Sequence, residues 1–459
     1  MYLKGEVNMK IIIVGVGKLG EYLTRSLVKD KNEITLVDID YSTSQDLINN
    51  ENVNYVVGNG MDANILLEAG VENCDLLISV MQMDEQNIVC SLLAKKLGAK
   101  HTIARIRTVE YSTSISLLKS DLGLSMIINP EQSTASQIAR ALSIPSALEA
   151  TSFLKGRLHM ISLKIKEKNV LDGLAINSLS KKHSFNVIIC TVERNNKIIV
   201  PTGKYVLQAG DKINVAGTIN GISEFLKFAN LITEKTKKVI IAGGGSTTMY
   251  LAKYLLDMKM KVKIIEINSE KCKVLSENLP GALVINGDVS DKNILYEEGI
   301  EDVDAFVALT NIDEENIVYS MFASMRKVPK IITKINHIDL PGITERANID
   351  TVITPHRIAA NQVVKYVRAM QNSHKSSCEA IYKFEDDVFE VQEYNIKNDF
   401  KGLNKKIKDM NIKDNILIVA IQRGRNIIMP NGSSEIKLND TIVLIDRSDS
   451  LNDINDILE

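Results

Sequence analysis

The sequence predicts an α/β protein in which two doubly wound parallel sheets are each followed by a small α+β domain, the whole arising by tandem duplication. Three observations carry that prediction. The segment from Asp62 to Asp75 is answered by Asp291 to Asp304, an offset of 291 − 62 = 229 that also relates Gly58 to Gly287, Asp84 to Asp313, Asn87 to Asn316 and Pro201 to Pro430. A shift constant over that distance means one long unit was copied whole, so a site in one half should have a counterpart in the other. Short β-branched runs alternate with helical stretches, the βαβ pattern of a sheet with helices on both faces. Finally, the first strand runs directly into a glycine-rich turn that opens a helix.

The elements follow in order. Lys10–Val14 is a β-branched run that reads as a buried parallel strand. Glu21–Lys29 places Tyr22, Leu23 and Leu27 at helical spacing, and Glu33–Val37 is the next strand, ending at Asp38. Strands over Asn54–Val57, Leu76–Ile78 and Thr102–Ala104 then alternate with helices over Asn64–Ala69 and Glu85–Leu97, and the second copy repeats the series from Lys238 to Thr354. A different pattern lies between. His159–Lys166 alternates as a strand, Leu171–Lys181 reads as a helix, and Val187–Val192 and Lys197–Val200 flank a hairpin turn at Glu193-Arg194-Asn195-Asn196. Lys212–Ala216 closes this small domain after the turn Ala209-Gly210-Asp211, and Cys378–Asp446 repeats the order around Arg423-Gly424-Arg425 and Asn439-Asp440. Helices over Gln132–Leu142 and Arg357–Met370, introduced by Asn129-Pro130 and Thr354-Pro355, connect large to small domains; the lysine-rich Lys227–Lys238 reads as the linker between halves. The expected domains are 9–130, 131–230, 237–355 and 356–459, with residues 1–8 as an extension.

Composition narrows the class. Hydrophobic content of 45%, charged content of 24% and a net charge of −2 describe an ordinary globular chain without a nucleic-acid footprint. The longest apolar runs, Ile11–Val16 and Ile416–Ile421, fall far below the roughly 20 residues of a membrane span. No signal peptide precedes Met9, and the five cysteines form no CxxC pair, so the expected location is cytoplasmic.

The chemistry concentrates at the glycine turn. In Gly15-Val16-Gly17-Lys18-Leu19-Gly20, the first glycine permits the tight turn, the second admits a pyrophosphate to the backbone, and the third lets helix and sheet pack closely. The helix N-terminus then offers free N–H groups and a partial positive charge to phosphates. Asp38, 38 − 20 = 18 residues past the last glycine, is placed to accept from a ribose diol and to repel a 2′-phosphate, which favours NAD over NADP. Strand, motif, helix, strand and acid together describe a Rossmann-like dinucleotide or adenine-nucleotide site, the alternative being a bare glycine turn. The second copy, Gly243-Gly244-Gly245-Ser246-Thr247-Thr248, has Thr248 in place of the third glycine and Glu266 in place of Asp38. It reads either as a second nucleotide site whose helix sits slightly farther from the sheet or as a copy kept for its packing. Arg105 and Lys334 occupy equivalent places after apolar strands, as phosphate contacts or as partners in surface salt bridges. Asn59 and Asp288 stand where an adenosine ribose would lie, and the loops Met81-Gln82-Met83-Asp84 and Thr310-Asn311-Ile312-Asp313 follow the fourth strands. The methionines of the first loop read as sheet-edge packing. The six histidines (His101, His159, His183, His337, His356, His374) read as strand or loop residues, and His374 and Cys378, one helical turn apart, do not make a metal site.

The glycine motif with Asp38, the Gly58-Asn59 and Glu68-Ala69-Gly70 stretch, Asp84-Glu85-x-Asn87 and Ala104-Arg105-Ile106-Arg107 recur in one order, followed by Pro201-x-Gly203 and Gly210-Asp211. This set resembles the RCK (regulator of potassium conductance, or KTN) modules. Two such modules in one chain, from Met9 to the end, are similar to the NAD-binding peripheral subunits of Trk potassium uptake systems, the TrkA type. The resemblance implies NAD(H), with ATP or ADP as alternatives, held by Gly15–Leu19, Asp38, Met81, Gln82 and Arg105, and in the second half by Gly243–Thr247, Glu266, Thr310, Asn311 and Lys334. It further implies a regulatory role without enzymatic turnover, in a homo-oligomeric, tetrameric ring docked against an integral membrane potassium channel subunit of the Trk type. That places it peripheral to the inner face of the plasma membrane. Met81 departs from the family, which commonly carries a hydroxyl there; Thr310 keeps one. The readings weighed against this one are an NAD-dependent dehydrogenase, which needs a placed proton donor, and a redox-sensing transcription regulator, which needs a basic helix-turn-helix.

Overall fold

The computed structural model describes residues 9–459 apart from 41–46, 48–52, 144–148, 183–184, 196, 232–235, 337–348, 376–377, 385–388, 448–450 and 452. The expected extension, His183, His337, Asn196 and the middle of the Lys227–Lys238 linker lie outside the described residues.

The first half opens with β1 (Lys10–Val14), α1 (Lys18–Lys29), β2 (Glu33–Asp38), β3 (Asn54–Val57), α2 (Ala63–Glu68), β4 (Leu76–Ser79), α3 (Asp84–Leu97), β5 (His101–Arg105), α4 (Val109–Leu118), β6 (Met126–Ile128) and α5 (Pro130–Ser143). The six strands are parallel in the order β3-β2-β1-β4-β5-β6. Every residue of β1 after Lys10 is buried, as a central strand covered on both faces requires. Strand order reverses beside β1, and the crevice at its carboxyl end is where ligands bind in such sheets.

A small domain follows: β7 (Glu149–Phe153), β8 (Leu158–Lys164), α6 (Ile176–Lys182), β9 (Val187–Arg194), β10 (Lys197–Ile199), β11 (Lys212–Gly217) and α7 (Ile219–Phe228), its sheet antiparallel in the order β10-β9-β11-β8-β7. The helix expected over Leu171–Lys181 begins only at Ile176, because Gly173 adopts φ +79° and turns the chain; Leu171 is buried in that turn.

The second half repeats both parts. Its large sheet comprises β12 (Lys238–Ala242), α8 (Ser246–Asp257), β13 (Lys261–Glu266), α9 (Ser269–Asn278), β14 (Leu283–Asn286), α10 (Lys292–Glu297), β15 (Ala305–Ala308), α11 (Asp313–Met325), β16 (Lys330–Lys334), β17 (Thr351–Ile353) and α12 (Pro355–Lys375), in the order β14-β13-β12-β15-β16-β17. Its small sheet holds β18 (Cys378–Phe384), β19 (Phe389–Asn395), β20 (Leu417–Arg423), β21 (Asn426–Ile428) and β22 (Thr441–Arg447). His374 lies in α12 and Cys378 begins β18, so the helix ends between them and the expected one-turn spacing is not formed. His356 also belongs to a helix, α12, rather than to a strand or loop. Among the described residues no helix is long and apolar enough to cross a membrane.

Like parts cluster with like. One compact unit joins the chain up to Ile138 with Lys237–Tyr366, and the other joins Ala139–Thr236 with Val367–Glu459. Within the second unit the two small sheets share a core, in which Phe153, Leu158 and Cys190 pack with Val391, Val419 and Val443. Leu154 N–H donates to the Glu393 carboxylate at 3.0 Å. Each small domain thus gains the apolar cover that roughly 75 residues alone provide poorly. The Gly210-Asp211 and Asn439-Asp440 turns are structural: buried Asp211 accepts Arg194 Nε and Nη2 at 2.6 and 2.8 Å, and Asp440 accepts Arg423 at 2.8 and 2.7 Å.

The stretch in which the copies agree best is also architectural. Asp62 caps α2 by accepting from Asn64 N–H at 2.9 Å, and Gly70 at φ +84° turns the chain out; Asp291 and Gly299 (φ +77°) do the same for α10.

Candidate functional site

The glycine turns sit at the carboxyl ends of β1 and β12. Gly15 and Gly243 adopt φ +95° and +100°, open to glycine and strained for other residues. Gly17 and Gly245 are the N-caps of α1 and α8, and neither helix start is capped by a side chain. A Cβ at either position would meet nothing within 4 Å, so both face open space.

In the first half a cavity of about 630 Å³ opens over this turn. Gly15, Val16, Gly17, Lys18, Leu19, Asp38, Asn59, Met81, Gln82 and Arg105 all line it; Gly20 lies behind the turn, packed against Gly15. Asp38 accepts Val16 N–H at 2.6 Å and Asp40 N–H at 3.1 Å, which fixes its carboxylate at the cavity edge. Asn59 accepts Met61 N–H at 3.0 Å.

The Asp-Glu-x-Asn segment is a clamp. Asn87 accepts Met81 N–H at 2.7 Å and donates to the Met81 and Arg105 carbonyls at 3.1 and 3.0 Å, tying the loop after β4 to the end of β5. Asn316 repeats the arrangement on Thr310 and Lys334. Thr310 does keep its hydroxyl, but Asn316 accepts from it at 2.8 Å. Met81 packs against the core and lines the cavity, whereas Met83 is exposed and is not the edge packing expected.

Arg105 and Lys334 are buried and make no ion pair among the described residues, so the surface salt bridge weighed for them is not what forms. Arg105 Nη2 donates to the Met81 carbonyl and its Nε has no partner. Burial pulls the Arg105 guanidinium and the Lys334 ammonium below their ordinary ranges; Arg107 adds to the effect at Arg105. A desolvated cation facing an open cavity attracts an anion strongly.

The second cavity, about 710 Å³, is built differently. Gly244, Gly245, Ser246, Thr247, Asn311 and Lys334 line it, whereas Gly243, Glu266, Asp288 and Thr310 do not. Glu266 is buried, accepting Gly244 N–H at 2.6 Å and Asn268 N–H at 2.8 Å. Asp288 accepts Ser290 N–H in a local turn.

The chain matches the TrkA-N domain over residues 11–130 and 239–355 and the TrkA-C domain over 160–230 and 391–459. It is 31% identical over 451 residues to the Trk system potassium uptake protein TrkA homolog of Archaeoglobus fulgidus, covering 98% of this chain and 100% of that protein. The chain belongs to the TrkA family. Within that family it is 30% identical to the Trk system potassium uptake protein TrkA of Halomonas elongata, over 95% of each chain. Among solved structures it shares the fold of the GsuK channel (TM-score 0.63, 18% identity, 97% of this chain and 78% of that one). The GsuK RCK domain matches similarly (TM-score 0.62, 18% identity, 97% and 94%).

Sequence reasoning missed the residues that cross between TrkA-N copies. His356, at the start of α12, lines the first cavity, and Arg107, Thr108, Val109 and Glu131 of the first half line the second. Glu131 and His356 each follow the proline that opens a connecting helix (Pro130, Pro355), so the duplication marks them as equivalent. Nothing in the spacing says that each faces the other half.

Proposed function

We propose that this chain is a nucleotide-binding regulatory subunit of potassium uptake, without turnover of its own. It works beside an integral membrane potassium channel subunit of the Trk type at the inner face of the plasma membrane. The observation that carries the ligand is the first cavity, where the uncapped start of α1, the Asp38 carboxylate and the unpaired Arg105 converge. The helix start and Arg105 suit a pyrophosphate, and Asp38 suits a ribose diol without a 2′-phosphate. NAD(H) is therefore the ligand of the first site, with ATP or ADP as competitors and as candidates for the second. The transport role rests on the family, whose relatives are named potassium uptake proteins. Assembly into a homo-oligomeric, tetrameric ring is supported by the exposed Val318, Met321 and Met325 of α11, an apolar face suited to a subunit contact. Nucleotide shifts such a ring only by binding one shape better than another.

Cells lacking the chain should grow poorly only at low potassium, and wild type should rescue them. The Gly17→Val, Gly245→Val double variant should bind the channel partner and ignore nucleotide. Full rescue by that variant, with the purified protein shown to bind none, would make the sites relics and end the gating proposal. His356 in the first cavity is the feature a dehydrogenase would use. Steady consumption of NADH with candidate oxidants, abolished by His356→Ala, would favour that reading instead.

A further inference from the structure

The second cavity is not made by the second half alone. The chain leaving β5 carries Arg107 and Thr108 across to it, and their backbone N–H groups donate to the buried Asp84 carboxylate at 3.0 and 2.8 Å, which fixes the path. The Arg107 guanidinium donates through Nη2 to the Gln82 carbonyl, stands 3.9 Å from Asp84 through Nε, and lacks a hydrogen-bond partner at Nε. Lys334 lies nine-tenths buried on the same cavity, and among the described residues its ammonium has only distant oxygens, at 3.5 and 3.4 Å. Both exceed a good charge-assisted bond. The uncapped start of α8 lines the same cavity, so three positive features border it, with the carboxylates of Glu131 and Glu270 as the acidic side chains of its lining.

The first cavity receives His356 from the second half but, among the described residues, no counterpart of Arg107. Asn336, equivalent to Arg107 (336 − 107 = 229), donates to Asp313 at 3.2 Å and does not line it. We propose that Arg107 is a binding residue of the second cavity, lent by the first half, and that it grips a phosphate of a nucleotide di- or triphosphate held at the start of α8. Glu131, also lent by the first half, lines the same cavity with Oε2 lacking a partner and opposes that anion. The two lent side chains therefore set the affinity of the second cavity in opposite directions. This rests on the reading that the second cavity takes nucleotide.

The test is calorimetric titration of the full chain with ADP in EDTA, using Gly17→Val to close the first cavity. Gly17→Val alone should bind one ADP per chain. Adding Arg107→Gln should weaken that binding about tenfold or more, with Arg107→Lys between, since an ammonium keeps the charge and loses the fork. Adding Glu131→Gln instead should strengthen it, a change of sign that general damage to the cavity would not produce. Affinity within about twofold on Arg107→Gln, or loss on Glu131→Gln equal to that on Arg107→Gln, overturns the role of the lent residues while leaving the nucleotide reading intact. If Gly17→Val binds no ADP although wild type does, the second cavity is not a nucleotide site and both ideas fall there.

Discussion

The two glycine turns begin alike and end differently. In the first, a Cβ at Gly20 would stand 2.2 Å from the Gly15 carbonyl oxygen, so helix and turn are in contact through hydrogen alone. In the second, Thr248 occupies that place, buried, with its hydroxyl donating to the Gly243 carbonyl at 2.6 Å. The helix start has opened by enough to admit a side chain, and a hydrogen bond replaces the close packing. The acids accept from equivalent backbone N–H groups but differ in burial. Asp38 stays at the edge of its cavity, whereas the longer Glu266 folds beneath its turn, where a Cβ on Gly244 would meet Glu266 Cγ at 2.9 Å. The first cavity runs along Asp38, Asp40 and Asn59, and the second runs toward α9 and the visiting Arg107. Duplication kept the frame, while the cavities beside the two turns differ in their linings.

Exchanging residues between the turns tests that account. Gly20→Thr should be the most damaging, because the obstacle is backbone; a loss of about 3 kcal/mol or more in urea unfolding is expected. A variant as stable as wild type would mean the turn opens freely and the contrast is unimportant. Asp38→Ala should weaken NADH binding at the first site by about 1.5–3 kcal/mol, the worth of a hydrogen bond to a charged group, and weaken ATP binding less. Glu266→Ala should change ADP binding in the Gly17→Val background by no more than about threefold, since Glu266 does not face the second cavity. Equal losses in calorimetry would restore the two acids to one role. Thr248→Gly removes a buried hydrogen bond and places glycine in a helix, for an expected cost of about 1–2 kcal/mol.

The smallest effect is one of pH. Burial pushes the Glu131 carboxyl above its ordinary range, against the pull of Arg107 and Arg105. A raised acid favours the folded protein when protonated: its contribution is fully present below the unfolded value and is lost as pH rises through the folded one. Wild type should therefore lose stability relative to Glu131→Gln as pH rises through that range, and ADP affinity at the second cavity should climb on acidification in wild type and stay level in the variant. A level wild-type profile would show that Glu131 does not face the ligand.

Much of this was legible beforehand. The bounds of β1 and the place of Asp38 followed from strand, glycine turn and spacing, which local geometry dictates; of the residues expected at the first site, Met81 and Gln82 came from the family resemblance, Gly20 does not line the cavity, and His356 was missed. The three-residue edge strands β6 and β17 escaped, being too short to show a period, as did β7 and α7. Glu266, Asp288 and Thr310, expected at the second site, are not among the residues that line its cavity. Equivalence in sequence fixes a position on the sheet, but not how far a side chain is buried there or whether a neighbour such as Asn316 engages it.

By itself the sequence determined two copies of a parallel βαβ sheet, the caps of their helices, the glycine turns and the family, since each depends on residues near one another in the chain or on the repeat. Only the tertiary structure decided that large domain clusters with large and small with small, that the small sheets share one core, and that Arg107, Glu131 and His356 face the cavity of the opposite half. Those outcomes depend on apolar faces finding cover over separations of more than two hundred residues, and no local preference encodes which surface will provide it.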